Sequence, residues 1–102
     1  MSFYDLPKDK RTQLVKKIEQ EILDDLENNA TPSLQRYFSD NDTYIRKAAY
    51  LAIGKIYFAN HSLKQKIIAN LWKLFKSANE KVRQTVINAV GEIGRKEAEP
   101  VL

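Results

Sequence analysis

Side chains that could catalyse a reaction or bind a metal are few in this chain of 102 residues. It contains no cysteine, which excludes disulfides, thiolate metal sites and a cysteine nucleophile. The one histidine, His61, has no acidic residue at a metal-ligand spacing, and no Ser-His-Asp set can be assembled around it. Three carboxylates, Glu21, Asp24 and Asp25, crowd one segment and could bind a cation, although a solvated helix surface is the simpler interpretation. We therefore predict that the chain is not an enzyme and holds no metal or cofactor.

The basic residues offer a different chemistry, which is the binding of an acidic partner. The formal net charge is +4, but residues 43–96 contain eleven basic and two acidic side chains. Residues 1–30, in contrast, contain five basic and seven acidic side chains. A charge asymmetry of this kind favours an acidic partner, nucleic acid included. The alternative is that the lysines only keep the surface solvated.

Two aromatic residues accompany the basic ones at helical spacing. Tyr50 and Tyr57 are seven residues apart, and Arg46 and Lys47 precede them by one turn. Aromatic rings interleaved with cations can stack on bases or hold a partner peptide. The same rings could instead cover a seam between packed helices.

The elements that must position these residues are all helices. Apolar residues recur with a helical period along the chain, and no stretch alternates with period two for long enough to predict a strand. Helix-start signals divide the chain: Thr31 before Pro32, Ser62 with Gln65, and Ser77 with Glu80. The predicted helices cover about residues 8–28, 32–39, 43–59, 62–76 and 79–96. The predicted fold class is all-α.

The sequence contains an internal repeat. The stretch DTYIRKAAYLAIGKIY at residues 42–57 returns 37 positions later as NEKVRQTVINAVGEIG at residues 79–94. The same offset relates Leu34 to Leu71 and Phe38 to Phe75. The repeated unit is therefore a whole helical hairpin, with an A helix followed by a B helix. Repeats of this length stack into a solenoid, because one unit cannot bury its apolar faces alone.

The repeated hairpin carries a family resemblance. Its second helix opens Asp-x-x-(Ile/Val)-Arg and continues to Ala-(Ile/Val)-Gly-x-Ile, which resembles HEAT repeats over residues 31–96. The resemblance implies a right-handed α-solenoid of stacked antiparallel helical hairpins. A weaker similarity is to HEAT-like DNA alkylation repair proteins. The expected domain organisation is an N-terminal capping helix at 1–30, repeats at 31–60 and 61–96, and the start of a further repeat at 97–102.

Several residues are expected to make contacts between the repeats. Arg46 and Arg83 occupy the same position in the two copies. The HEAT resemblance implies that each bonds a turn acid or carbonyl of an adjacent repeat, with Asp40 or Asp42 as acceptors. The alternative is that they grip a phosphate or carboxylate of a partner. Gly54 and Gly91 lie mid-helix, where glycine costs about 1 kcal/mol relative to alanine, so we expect a neighbouring helix to approach them closely. The residues assigned to this structural group are Asp40, Asp42, Arg46, Gly54, Arg83 and Gly91.

The predicted function is that of a non-catalytic scaffold whose B helices line a concave surface for a macromolecular partner, with a protein favoured. The candidate binding residues are Lys47, Tyr50, Tyr57, Gln84, Ile87, Arg95 and Lys96. The alternative is a nucleic-acid-binding protein, related to the alkylation repair glycosylases, that uses the basic surface of residues 43–96.

Two further expectations concern surroundings and assembly. No signal peptide and no membrane span are visible in the sequence, so we expect a cytoplasmic protein. The last predicted helix carries more apolar surface than one hairpin partner can cover. We therefore expect that the chain either associates with itself through its C-terminal repeat or is part of a longer protein.

Overall fold

The computed structural model describes residues 2–98, and every regular element in that range is helical. The five α-helices are α1 (Lys8–Glu27), α2 (Pro32–Phe38), α3 (Thr43–Ala59), α4 (Lys64–Phe75) and α5 (Glu80–Ala98). Short 3-10 turns cover Phe3–Asp5 and His61–Leu63. The all-α prediction is confirmed, and each predicted boundary lies within two residues of the observed one. Residues 97 and 98 continue α5, and the rest of the further repeat predicted at 97–102 lies outside the described residues.

The helices form a small HEAT-like solenoid. Helices α1, α3 and α5 make a row in which α3 packs against both of the others. Helix α2 packs against all three members of this row, and α4 packs against α3 and α5. We refer to α2 with α3 as the first hairpin and to α4 with α5 as the second hairpin. Helix α1 precedes α3 in the row.

One continuous apolar core joins the hairpins. The buried side of α3 carries three small residues, Ala48, Ala49 and Ala52, which let neighbouring helices approach its backbone closely. Larger apolar side chains from α1, α2 and α4 surround them, and Ile18, Phe38 and others are inaccessible to solvent. Burying each such side chain contributes about 1.5–3 kcal/mol relative to leaving it exposed.

The turn before each B helix is built in the same way in both hairpins. Asp42 and Asn79 are equivalent at the 37-residue offset, and the Oδ1 atom of each accepts the backbone N–H two residues later at 2.8 Å. The side chains of Asp40 and Ser77 in turn accept the backbone N–H of Asp42 and Asn79, at 2.8 and 3.0 Å. Asparagine thus replaces aspartate as the helix cap. The start of α5 is capped by Asn79, and not by the predicted Ser77.

The start of α2 is capped from another helix. Asp25 of α1 is almost fully buried, and its Oδ2 atom accepts the backbone N–H groups of Ser33 and Leu34 at 2.7 and 3.2 Å. Pro32 stands at the first turn as predicted, but the Thr31 side chain makes no capping bond. Asp25 is therefore a structural acceptor, and the prediction of a solvated carboxylate is wrong for this residue.

The helix start predicted at Ser62 is also corrected. Residues 61–63 form a 3-10 turn, and α4 begins after it with Leu63 in the capping position and no side-chain capping bond. The buried Leu63 side chain holds this turn to the core instead.

The two mid-helix glycines have different surroundings. A Cβ atom added to Gly54 would lie 2.9 Å from Cγ of Glu92 on α5, so the predicted close approach of a neighbouring helix is found there. At Gly91 no other described helix lies within 4 Å of such a Cβ, and the predicted approach is not found. The reason is that α5 is the last helix of residues 2–98, whereas α3 has α5 beside it.

Candidate partner-binding site

A groove between α3 and α5 brings together three of the predicted binding residues, Lys47, Tyr50 and Gln84. Its volume is about 180 Å³. We call it the α3/α5 groove. Its lining residues are Thr43, Tyr44, Arg46, Lys47, Tyr50, Gln84 and Asn88.

Helical spacing and the internal repeat together place these side chains. Lys47 and Tyr50 are three residues apart on α3, and Gln84 and Asn88 are four residues apart on α5, so each pair shares one helix face. Lys47 and Gln84 are equivalent at the 37-residue offset. Because α3 and α5 pack alongside each other, these two equivalent residues both line the groove.

The lining is polar and carries positive charge without any carboxylate. Lys47 is exposed, and within residues 2–98 it has no ion-pair partner. The carboxamides of Gln84 and Asn88 can both donate and accept hydrogen bonds, and Tyr44 and Tyr50 add ring faces with hydroxyl groups. This set of groups suits an extended, acidic polypeptide segment better than an apolar ligand.

Arg46 lines the groove but is held by its own turn. Its Nη1 atom donates to the backbone carbonyl of Asp40. Arg83 makes the equivalent bond, 2.7 Å long, to the carbonyl of Ser77. For Arg46 the predicted acceptor residue, Asp40, is found, and it accepts through its backbone carbonyl. In both cases, however, the acceptor lies six residues earlier in the same hairpin, so the bond does not join adjacent repeats as predicted.

The N-terminal turn closes one end of the groove. The ring of Tyr44 packs edge-on against Tyr4, with centroids 4.4 Å apart, and the Arg11 guanidinium lies 5.1 Å from the Tyr4 ring centroid. Asp42 accepts the backbone N–H of Phe3 on its second carboxylate oxygen. Neither Tyr4 nor Tyr44 is among the binding residues predicted from the sequence, because the two tyrosines are 40 positions apart and only the fold brings their rings together.

The environment of Asp42 favours its ionised form. Burial acts to raise the pKa of this carboxyl, but the backbone N–H groups of Phe3, Tyr44 and Ile45 and the charge of Arg46 lower it. The net result is a pKa below the ordinary aspartate value. The link between the N-terminal turn and α3 therefore depends on an ionised side chain.

Tyr57 lies away from the groove. It sits two turns beyond Tyr50 on α3, where the ammonium group of Lys64 is 4.9 Å from its ring centroid. Partial burial raises the pKa of the Tyr57 hydroxyl, and the charge of Glu97 and a hydrogen bond to it raise the pKa further. This tyrosine is therefore a contact between α3 and the end of α5.

Arg95, Lys96 and Ile87 also lie outside the α3/α5 groove. Arg95 pairs with Glu92 at 2.8 Å, and the Lys96 ammonium is 3.9 Å from the same carboxylate. Ile87 lines a second groove, of about 360 Å³, between α4 and α5. We call this the α4/α5 groove, and its lining is wholly apolar. Its residues are Ile68, Leu71, Trp72, Phe75, Val86, Ile87 and Val90.

Two kinds of feature are not found in the described part of the chain. No helix between residues 2 and 98 is long and apolar enough to cross a lipid bilayer. Over the same residues, no group of three or more histidine or acidic side chains is placed to hold a metal ion.

Comparison with known proteins gives one match. The family model for non-SMC mitotic condensation complex subunit 1 (Cnd1) matches residues 11–102. The matched range contains both hairpins and every residue that lines the two grooves. No curated protein and no solved structure matches the chain.

Proposed function

The chain belongs to the family of non-SMC mitotic condensation complex subunit 1, and from this premise we propose that it is a non-catalytic scaffold that binds another protein of such a complex. We place the binding site in the α3/α5 groove. The observation that carries the proposal is the convergence of Lys47, Tyr50 and Gln84 in one groove without a carboxylate.

The groove chemistry indicates an extended acidic segment as the bound element. An extended polypeptide exposes alternating N–H and C=O groups, and the Gln84 and Asn88 carboxamides can pair with both. Tyr44 and Tyr50 provide rigid rings for packing against side chains of the segment, as tyrosines commonly do at interfaces. Lys47 would pair with an acidic side chain beside the segment.

The distribution of positive charge favours a protein over nucleic acid. Nucleic-acid binding needs cations arranged along one face to contact successive phosphates. Here Arg46 and Arg83 are engaged by turn carbonyls, and Lys55 pairs with Glu19 of α1 at 3.1 Å. Four further lysines lie on or beside α4, which is outside the α1, α3 and α5 row.

Nucleic-acid binding is the second candidate, and it rests on the excess of eleven basic over two acidic side chains in residues 43–96. The family match supports a place of action at mitotic chromosomes, rather than in the cytoplasm as the sequence led us to expect. It gives no support to a relationship with alkylation repair glycosylases.

Site-specific photocrosslinking tests the protein-binding proposal. A benzophenone side chain at position 47 should crosslink one partner protein, whereas the same group at position 16, exposed on α1, should not. With that partner purified, Lys47→Glu should weaken binding about tenfold or more, equivalent to about 1.4 kcal/mol. Lys16→Glu makes the same charge change and should leave the affinity within about twofold. Equal crosslinking at both positions, or full affinity of Lys47→Glu, would reject the groove as the site.

A salt titration tests the second candidate. Binding of the purified chain to a labelled duplex of about 30 base pairs is followed by fluorescence anisotropy at increasing salt. Nucleic-acid binding requires a steep linear fall of log affinity with log salt. It also requires that Lys47→Glu on α3 and Lys66→Glu on α4 weaken the binding equally. A weak affinity that neither variant changes leaves protein binding as the function.

A further inference from the structure

Five of the nine large apolar side chains that are exposed in residues 2–98 line the α4/α5 groove. Trp72, Ile87 and Val90 are 65%, 51% and 53% exposed, and they lie together along one groove. Contiguous apolar patches on a folded chain mark sites of interaction. This groove is separate from the α3/α5 groove, and its occupant is independent of the function proposed above.

The internal repeat shows what kind of element belongs on this surface. Phe75 and Val90 are 40% and 53% exposed, whereas their equivalents in the first hairpin, Phe38 and Ile53, are 0% and 1% exposed. The difference arises because the second hairpin lies on the first, with α5 packed against both α2 and α3. The α4/α5 groove is therefore the face on which this architecture places another helix.

The glycines show how closely that helix can approach. On α3, the absence of a side chain at Gly54 makes room for Glu92 of α5. At the equivalent Gly91 on α5, no other described helix lies within 4 Å of the point that a Cβ atom would occupy, and the same holds at Gly94. The backbone of α5 therefore has no side chains at these two positions. The backbone of α3 likewise has no side chain at Gly54, where α5 packs on it.

We propose that the α4/α5 groove binds an amphipathic helix of another protein, which packs on α5 as α5 packs on α3. The bound helix should carry the same buried stripe as α5, which consists of Val82, Thr85, Val86, Ala89 and Ile93. The Thr85 hydroxyl lies 2.7 Å from the backbone carbonyl of Lys81 in its own helix and 3.2 Å from that of Phe38, and it can donate to either. A hydroxyl on the bound helix would find the carbonyl of Phe75 at the position equivalent to Phe38.

Charge specifies the flanks of the bound helix. Residues 61–98, which contain the second hairpin, carry eight basic and three acidic side chains. Acidic residues beside the apolar stripe would therefore be attracted to the surface around the groove. A second copy of this chain is a poor occupant, because it would bring an equally basic hairpin against the first. Its other end, the outer side of α1, is charged and cannot fill an apolar groove.

The single tryptophan makes the groove directly observable. Trp72 is the only tryptophan in the chain and lines the groove, so its fluorescence reports occupancy. The probe is a synthetic helical peptide of about 20 residues, long enough to cross one helix, that carries the α5 stripe with glutamates elsewhere. We expect a saturable blue shift of Trp72 emission. A peptide with the same stripe and lysines elsewhere should bind about tenfold more weakly or worse at low salt.

Two variants test the packing. Gly91→Leu should abolish the blue shift while leaving the chain folded, because its side chain points into open space. Gln13→Leu, which adds a leucine to the exposed side of α1, should bind the peptide as the parent does. Circular dichroism confirms the fold of both variants.

Four results would overturn the proposal. The first is an unchanged Trp72 spectrum with every peptide, and the second is equal binding of the acidic and lysine peptides. The third is a Trp72 emission that is already blue-shifted before peptide is added. If sedimentation then shows a dimer, a second copy is the occupant of the groove, and if it shows a monomer, the chain's own terminal residues are the occupant. The fourth is full peptide binding by folded Gly91→Leu.

Discussion

Arg46→Ala and Arg83→Ala form a matched pair of perturbations. Both arginines donate to the backbone carbonyl six residues earlier, and both lie half-buried, but only Arg46 lines the α3/α5 groove. We expect each variant to lower the free energy of unfolding by about 1–3 kcal/mol, since a hydrogen bond from a charged donor is lost. If the α3/α5 groove is the binding site, only Arg46→Ala should also alter partner binding, and that effect should be smaller than its effect on stability.

The structure also orders the two values. Arg46 helps to lower the pKa of Asp42 through its charge, whereas the equivalent residue in the second hairpin is the uncharged Asn79. Arg46→Ala therefore removes an additional favourable interaction and should be the more destabilising change. In a domain of this size, each kcal/mol corresponds to about 4–8 °C in the midpoint of thermal unfolding.

The assay is urea unfolding followed by circular dichroism, with partner affinity measured at a temperature where both variants are folded. An Arg46→Ala variant as stable as the parent but unable to bind would show that the arginine is a partner contact and not a structural one. Unchanged stability in Arg83→Ala would show that the turn bond itself contributes nothing.

Three other perturbations follow from the described contacts. Asp25→Ala should lower the free energy of unfolding by about 2–3 kcal/mol in urea titrations, because two N–H groups of α2 lose their acceptor. Asp24→Ala, on the exposed side of α1, should change it by about 0.5 kcal/mol or less, and similar values for both variants would contradict the capping role. Asp42→Asn should flatten the acid side of the stability profile. The pKa of Asp42 is lowered by folding, so its contribution to the free energy of unfolding is complete above the unfolded value of about 3.9 and is lost as the pH falls through the folded value. Equal slopes of the free energy of unfolding against pH in variant and parent would show that the carboxylate is unimportant. Gly54→Ala should lower the midpoint of thermal unfolding measured by calorimetry, since its Cβ would be 2.9 Å from a side chain of α5. Gly91→Ala should raise the free energy of unfolding by up to about 1 kcal/mol, because alanine favours the helix and meets no neighbouring helix there. Shifts of the same sign in both variants would contradict the packing.

Much of the fold was predictable from local sequence. Apolar periodicity and turn residues set the helix boundaries, and the 37-residue offset related the arginines and glycines of the two hairpins. The cap that Asp25 provides was not predictable, because it joins two helices whose relative position depends on the packed core. Local sequence instead favoured Thr31, which precedes α2 directly but makes no side-chain capping bond.

The candidate site was predictable in part, for a related reason. Lys47 and Gln84 are equivalent residues of neighbouring helices, so the repeat alone brings them together. Tyr50 and Ile87 are also equivalent, yet they line different grooves. Tyr50 lines the groove between α3 and α5, whereas Ile87 lines the groove between α4 and α5. Periodicity predicts the face of a helix that a residue occupies, but not which neighbour covers that face.

The position of α3 between α1 and α5 has a consequence for how cooperatively the chain unfolds. Most contacts join elements that are adjacent in the stack, so the interactions behave as a series of nearest-neighbour couplings. Loss of α4 and α5 would leave α3 supported by α1 and α2, and loss of α1 would leave it supported by α2, α4 and α5. Local stability should thus be graded along the stack, with the highest opening free energy at its middle helix and lower values toward either end. A single unfolding midpoint would then describe the unfolding of α3 and the helices packed on it. Helices at either end of the stack would open locally without unfolding of α3.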